Sequence, residues 1–153
     1  MRAQPRLLFG HDKEVAEWVE SRLAPAGLGH APRENFTTIA VFDEARGKVL
    51  AGVCYHFLEE HDDGSKTMAM TIAADSPMFA TPGTIKALLH YPFEQLGCFK
   101  VWATTVHTNE RAQRFLKGVG FVREGILRHQ FGIKRHAAFW GLTKPEYLSR
   151  YGK

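Results

Sequence analysis

The sequence predicts a mixed α/β (α+β) fold over one domain, residues 1–153, and three observations carry that expectation. Two β-rich runs, Phe36–Phe42 and Val49–Leu58, flank a polar stretch containing Gly47, which is the pattern of a hairpin. After a third such run the character changes at Thr81-Pro82, where a capping hydroxyl precedes a proline whose missing N–H costs nothing in a first helical turn. Further on, Ala112, Phe115, Leu116 and Val119 recur at i, i+3, i+4 and i+7 behind Asn109, the mark of a capped amphipathic helix.

The remaining elements follow in chain order. Val15, Trp18, Val19 and Leu23 recur near helical spacing, so a helix is expected from Asp12 to Leu23, with Asp12 as its cap and Pro25 to Gly29 as its end. Beyond the hairpin, a turn around Asp62 to Lys66 leads into a strand at Thr67 to Ala74, so three strands pair antiparallel. In the helix after Thr81, Ile85, Leu88 and Leu89 supply the buried stripe. Pro92 cannot donate to the Leu88 carbonyl and should kink or end that helix, and Leu96-Gly97 closes the segment. A strand at Phe99 to Val106 comes next, then the Asn109 helix, stopped by Gly118 and Gly120. Phe121–Phe131 and Ala137–Leu142 read as a strand pair, and Thr143-Lys144-Pro145-Glu146 is a capping box that opens a short last helix.

With 153 residues, 44% hydrophobic and 24% charged, the chain can bury one core but not two. No apolar run approaches the roughly 20 residues of a membrane span, and the first residues lack a signal-peptide core, so a cytoplasmic location with no membrane partner is expected. Cys54 and Cys98 sit in apolar contexts without metal or redox spacing and read as buried thiols. The eight histidines are scattered, with none at ligand spacing beside a carboxylate, so no metal site is expected. Twenty basic residues against 16 acidic ones give +4, which favours an anionic partner: nucleic acid, an acidic protein or a phosphorylated cofactor. Much of that charge falls between Arg111 and Arg135, where a solvated face is the plainer reading, and no nucleic-acid motif accompanies it.

The segment Val106 to Gly125, with Asn109, Ala112, Leu116, Gly120-Phe121 and Glu124-Gly125 at the marked places, resembles the N-x-x-A…G-F-x-x-E-G signature of the Gcn5-related N-acetyltransferases (GNAT). It is most similar to the Rim-type branch, which acetylates ribosomal-protein N-termini. Tyr91 to Gly97 is also similar to a stretch of short phage and prophage acetyltransferase-like proteins. The resemblance spans Phe36 to Leu148. It implies the GNAT fold, a mixed, mostly antiparallel central sheet of about six to seven strands flanked by helices, and acetyl-CoA as donor.

In this family the cofactor pyrophosphate rests on backbone N–H groups at the start of the helix after the fourth strand, where orphan donors and the helix dipole favour an anion. The matching segment is Phe79 to Thr84. The family pattern is Arg or Gln, two variable residues, Gly, one variable residue, then Gly or Ala; Phe79, Pro82 and Thr84 depart from it at all three defining positions. Gly83 and the amides of Ala80, Thr81 and Thr84 remain to hold phosphate, with Ala74 at the end of the preceding strand. Asn109 is implied on the pantetheine arm or the acceptor, with Arg111, Arg114 and Phe115 nearby on the same helix. Helix capping alone accounts for Thr81 and Asn109 equally well.

The implied chemistry is attack of a neutral amine on the acetyl thioester, with a base to take the proton, donors for the oxyanion and an acid for the thiolate. Leu116 occupies the family's tyrosine position, and Thr67 and Met68 stand where a carboxylate base is usual. The remaining candidates are His56 and Asp75, then Glu59, Glu60 and His107, with Tyr55, Tyr91 and Tyr147 as acids. His56 is expected to titrate near neutrality if it is a base; a buried, hydrogen-bonded strand histidine is the plainer reading. Two functions follow. One is an acyl-CoA-dependent N-acyltransferase acting on a protein N-terminus, a lysine or a small amine. The other is a non-catalytic module of the same fold that engages protein or nucleic acid. A homodimer is compatible with both.

Overall fold

The computed structural model describes residues 5–152. Its elements are β1 (Arg6–Leu8), α1 (Asp12–Leu23), β2 (Phe36–Asp43), β3 (Lys48–Glu60), β4 (Lys66–Ala74), α2 (Pro82–His90), β5 (Lys100–Val106), α3 (Glu110–Val119), β6 (Val122–Leu127), β7 (Ala137–Thr143) and α4 (Lys144–Tyr151). The strands form a seven-stranded sheet in the order β1-β2-β3-β4-β5-β7-β6. Pairs β1–β2, β2–β3, β5–β7 and β6–β7 are antiparallel and β4–β5 is parallel, which is the mixed, mostly antiparallel sheet that the resemblance implied. The chain divides into two compact units, one made of the residues up to His56 with Met70–Leu88, the other of Phe57–Ala69 with the residues from Leu89 on.

In the first unit α1 lays its apolar stripe on the sheet. Val15, Ala16 and Val19 are buried with Ala31, Ala40, Cys54 and Ala73, and Trp18, Leu23, Phe36 and Val49 close the edge. The helix spans the expected residues, but Asp12 is not its cap. His11 holds that position without a side-chain bond, and the Asp12 carboxylate instead accepts from the Thr38 N–H and hydroxyl, both at 2.9 Å. Thr38 is buried, so the carboxylate satisfies two donors that water does not reach. β1 is an element that sequence reading missed: three residues are too few for a periodicity, and the strand exists because Arg6 to Leu8 pair with Phe42 to Ala40.

The Leu88 carbonyl, deprived of a donor by proline at position 92, accepts instead from the hydroxyl of fully buried Tyr55 at 2.7 Å. Tyr55→Phe leaves this carbonyl buried without that donor, so a loss of about 1–3 kcal/mol is expected in urea unfolding. An unchanged midpoint would show that water replaces the hydroxyl.

In the second unit, β4 and β5 pair over only three residues, Thr67 to Ala69 against Lys100 to Trp102. β5 and β7 pair along their whole length, Lys100↔Thr143 to Val106↔Ala137. Pro92 falls in a π-helical turn, Tyr91–Gln95, that continues the chain past His90, so the expected break takes the form of a widened turn closed by Gly97 at φ 71°. Phe93 and Tyr147 are both buried and stack at 4.7 Å. α4 opens as expected, with the Glu146 carboxylate accepting from the Thr143 N–H and hydroxyl at 2.9 Å each. Two boundaries differ from expectation. Gly118 lies inside α3, which ends at Gly120 in a left-handed conformation, φ 118°. The strand expected over Phe121–Phe131 is only β6, Val122–Leu127, because residues 128–134 fold into turns.

Candidate functional site

The first unit carries the segment expected to hold phosphate. After β4, Ser76 accepts from the Met78 N–H and opens a short 3-10 turn, Pro77–Phe79. Thr81 then caps α2 through its hydroxyl, which accepts from the Thr84 N–H at 3.2 Å and donates to the Thr84 hydroxyl at 2.9 Å. The cap was legible in the sequence; its consequence for a ligand was not. The Ala80 N–H donates to the Pro77 carbonyl, the Thr81 N–H to the Phe79 carbonyl and the Thr84 N–H to the Thr81 hydroxyl, so three of the four amides expected to face phosphate are committed within the chain. Gly83 is different. It is exposed at the second position of α2, and a Cβ built there meets nothing within 4 Å. Phe79, at the family's first pattern position, is buried as a core side chain, and Ala74 ends β4 half-buried.

His56 and Asp75 belong to the same unit. His56 is buried on β3 with Nε2 2.7 Å from the Thr71 hydroxyl, and burial pushes its pKa from 6.5 down to about 4. The expectation of a base titrating near neutrality is therefore corrected: loss of hydration disfavours the charged ring. Asp75 is held by the Arg22 guanidinium in a two-point ion pair, Nε to Oδ1 at 3.0 Å and Nη2 to Oδ2 at 3.1 Å, and those hydrogen bonds lower its pKa. As a base it is poor on both counts, since its lone pairs are occupied and its proton affinity reduced.

The second unit carries the Asn109 segment. Asn109 caps α3 as expected, its side-chain oxygen accepting from the Ala112 N–H at 3.2 Å. Arg111 and Arg114 are exposed, Arg114 with Glu110 one turn before it, and Phe115 is half-buried. Leu116, at the family's acid position, is a core residue. Of the tyrosines considered as acids, Tyr55 and Tyr147 are buried and Tyr91 is half-buried. Glu59 and Glu60 are exposed at the end of β3, and His107 is half-buried beyond β5.

One feature of this unit was not singled out in the sequence. Phe57, Trp102 and Phe139 stack in a row, Phe57 to Trp102 at 6.0 Å and 9°, Trp102 to Phe139 at 5.2 Å and 17°. β4 lies between β3 and β5 in the sheet and places only Ala69 opposite Trp102, which leaves room for the rings. Phe57 is 66% exposed and adopts φ 54°, a conformation that costs a bulky residue about 1–3 kcal/mol. Its only sequence trace is an aromatic at a strand position flanked by His56 and Leu58.

Among the described residues, no group of three or more His, Cys, Asp or Glu is placed to hold a metal ion, and no helix is long and apolar enough to cross a membrane.

Neither protein-family models nor curated protein sequences match the chain. Solved structures do. The ribosomal-protein-S5-alanine acetyltransferase of Vibrio fischeri is similar with a TM-score of 0.71 at 12% identity, covering 96% of this chain and 97% of its own. The spermidine N-acetyltransferase of Vibrio cholerae, in complex with CoA and spermine, is similar with a TM-score of 0.69 at 15% identity, covering 96% of this chain and 99% of its own. At these identities the likeness is one of architecture, and the chain has the fold of the Gcn5-related N-acetyltransferases.

Proposed function

We propose that the chain is an acyl-CoA-dependent N-acyltransferase that moves an acetyl group from acetyl-CoA to an amine by direct attack in a ternary complex. The supporting observation is the likeness, over nearly the whole chain, to two acetyltransferases whose acceptors are amines, one of them holding CoA. In the first unit, the α2 start would take the donor's phosphates through the Gly83 N–H and the positive end of the helix dipole. The amides of Ala80, Thr81 and Thr84 join only by giving up their present bonds. In the second unit, Asn109, Arg111, Arg114 and Phe115 would be the donor's contacts by resemblance, and Arg111 and Arg114 are exposed.

When bound, acetyl-CoA supplies a thioester-activated acetyl group. The chain's own part is to orient the amine and let its proton leave. His56 and Asp75 are engaged elsewhere, so that proton passes to water, with exposed Glu59 and Glu60 or half-buried His107 as the nearest alternatives in kind. The acceptor class stays an amine: a protein N-terminus, a lysine or a small amine.

A second reading, a non-catalytic module of the same fold, is favoured by buried Leu116 and by the three committed amides. Thermal unfolding with acetyl-CoA separates the two. At about 100 times its dissociation constant the donor adds roughly 2.7 kcal/mol of stability, a rise in Tm of several degrees. No shift at millimolar donor would sink the acyltransferase reading. A shift without any mass increase on peptides, lysine or polyamine would leave the module.

A further inference from the structure

We propose that the β6–β7 connection, residues 128–136, is a pH-operated clasp, held closed by two neutral imidazoles that accept backbone N–H groups and opened when either ring is protonated. The His129 N–H donates to His136 Nδ1 at 2.8 Å, and the Lys134 N–H donates to His129 Nδ1 at 2.8 Å. A backbone amide only donates, so both Nδ1 atoms are bare and each ring carries its proton on Nε2. His107 is the reverse case. Its Nδ1 lies 3.1 Å from the His136 carbonyl, which only accepts, so its proton sits on Nδ1; the His107 backbone N–H reaches the same carbonyl at 2.8 Å. The His136 ring lies 4.7 Å from that of His129 and 4.9 Å from that of His107. Three histidines, two tautomers and one carbonyl thus tie the connection to itself and to the end of β5.

The connection needs such ties. His129 and Lys134 adopt φ 55° and 61°, which costs roughly 1 kcal/mol or more each away from glycine. Burial offsets little of this, because residues 128–130 and 132–135 are exposed, Ile133 at 86%. Backbone turn bonds also run within it, Phe131 N–H to the Arg135 carbonyl at 2.9 Å, Gly132 N–H to the His129 carbonyl at 3.2 Å and Arg135 N–H to the Gly132 carbonyl at 3.0 Å. Protonation at Nδ1 turns the acceptor into a second donor facing the amide, so the bond is lost and replaced by repulsion. The charged and titratable groups acting on the His136 ring are His129 and Arg128 on the connection and His107 from the end of β5, all basic. Burial, followed by the charges of His129, His107 and Arg128, lowers the His136 pKa, the direction expected of a ring that the closed form keeps neutral. The sign follows for His136: because its pKa is lowered, its tie is complete above the ordinary histidine value and is lost as pH falls from there through the lowered one. The His107 bonds end on the His136 carbonyl and not on either ring nitrogen, so His107 stays tied when the clasp opens. The clasp does not depend on the acyltransferase reading.

The test is a titration of the 15N-labelled whole chain from about pH 8 to about pH 5, following imidazole and amide nitrogens. At the upper limit His129 and His136 should show Nε2–H tautomers and His107 an Nδ1–H tautomer. On acidification, exchange protection of the His129 and Lys134 amides, corrected for the intrinsic rate, should drop roughly tenfold or more. His129→Asn and His136→Asn place a carbonyl oxygen near the Nδ1 position. It accepts at any pH, and asparagine tolerates the left-handed backbone at 129, so the amide served by that side chain should stay protected. An Nδ1–H tautomer at either His129 or His136 at the upper limit, or equal protection at both ends, overturns the proposal. So does loss of protection in the asparagine variants with the wild-type pH profile. The wild-type titration decides the matter even if a variant folds poorly, and it is independent of whether acetyl-CoA binds.

Discussion

Truncating Phe93 to alanine is expected to lower the unfolding free energy by about 3–5 kcal/mol, the range for deleting a buried aromatic ring. Phe93 is fully buried in the π-helical turn and stacks on Tyr147, itself 1% exposed, at 4.7 Å and 16°. The loss combines transfer of the ring from core to water with a cavity that α4 and the turn, each fixed at its own ends, close only partly. Domains carry about 5–15 kcal/mol of total stability, so this is a large share. At about 2–4 °C per kcal/mol for a chain of this size, Tm should fall by roughly 6–20 °C. Phe93→Leu, which keeps most of the volume, should cost distinctly less. A loss below about 1 kcal/mol for the alanine variant would mean that the ring is not packed as described.

Acid should cost this protein roughly 3 kcal/mol through His56 alone, taking 1.36 kcal/mol per unit of pKa difference. Burial holds the His56 pKa near 4 against 6.5 for an ordinary histidine. Between those values the unfolded chain binds a proton that the folded chain refuses, so stability falls as pH falls. The His56 contribution is complete above 6.5 and is lost progressively down to about 4. Urea unfolding of the wild type and His56→Gln, from about pH 7.5 to pH 4.5, reads the difference. His136 is present in both proteins and cancels, and Glu20 and Asp75, whose pKa values are lowered by hydrogen bonds from His30 and Arg22, also cancel. The wild-type curve should drop more steeply than the variant's. Parallel curves would show that the ring titrates alike in both states.

What could be read from the chain and what could not divides along a physical line. α2, α3 and α4 lie where their caps, prolines and apolar spacing put them, and α1 where its apolar spacing does, because those signals act within one or two turns. The hairpin of β2 and β3 was legible for the same reason, in a β-rich pair around Gly47 at φ 64°. β1 was not, since a three-residue strand is defined only by its partner. The overlong strand expected before residue 131 failed because histidine and lysine in left-handed conformations turn the chain there, stabilised by imidazole acceptors that no local pattern announces. For the site, the sequence located Thr81 and Asn109 as caps but left open whether neighbouring amides were spare.

By itself, then, the sequence determined the order and kind of the main elements, the capped starts of α2, α3 and α4, and the apolar stripe of α3 that buries Leu116 and Val119. Only the tertiary structure decided the protonation of His56, the engagement of Asp75 by Arg22, the commitment of the Ala80, Thr81 and Thr84 amides, and the tautomers of His107, His129 and His136. Helix and hairpin signals are short-range and written in neighbouring residues. Proton affinity and hydrogen-bond availability depend on burial and on partners far away in the chain, which a linear reading does not contain.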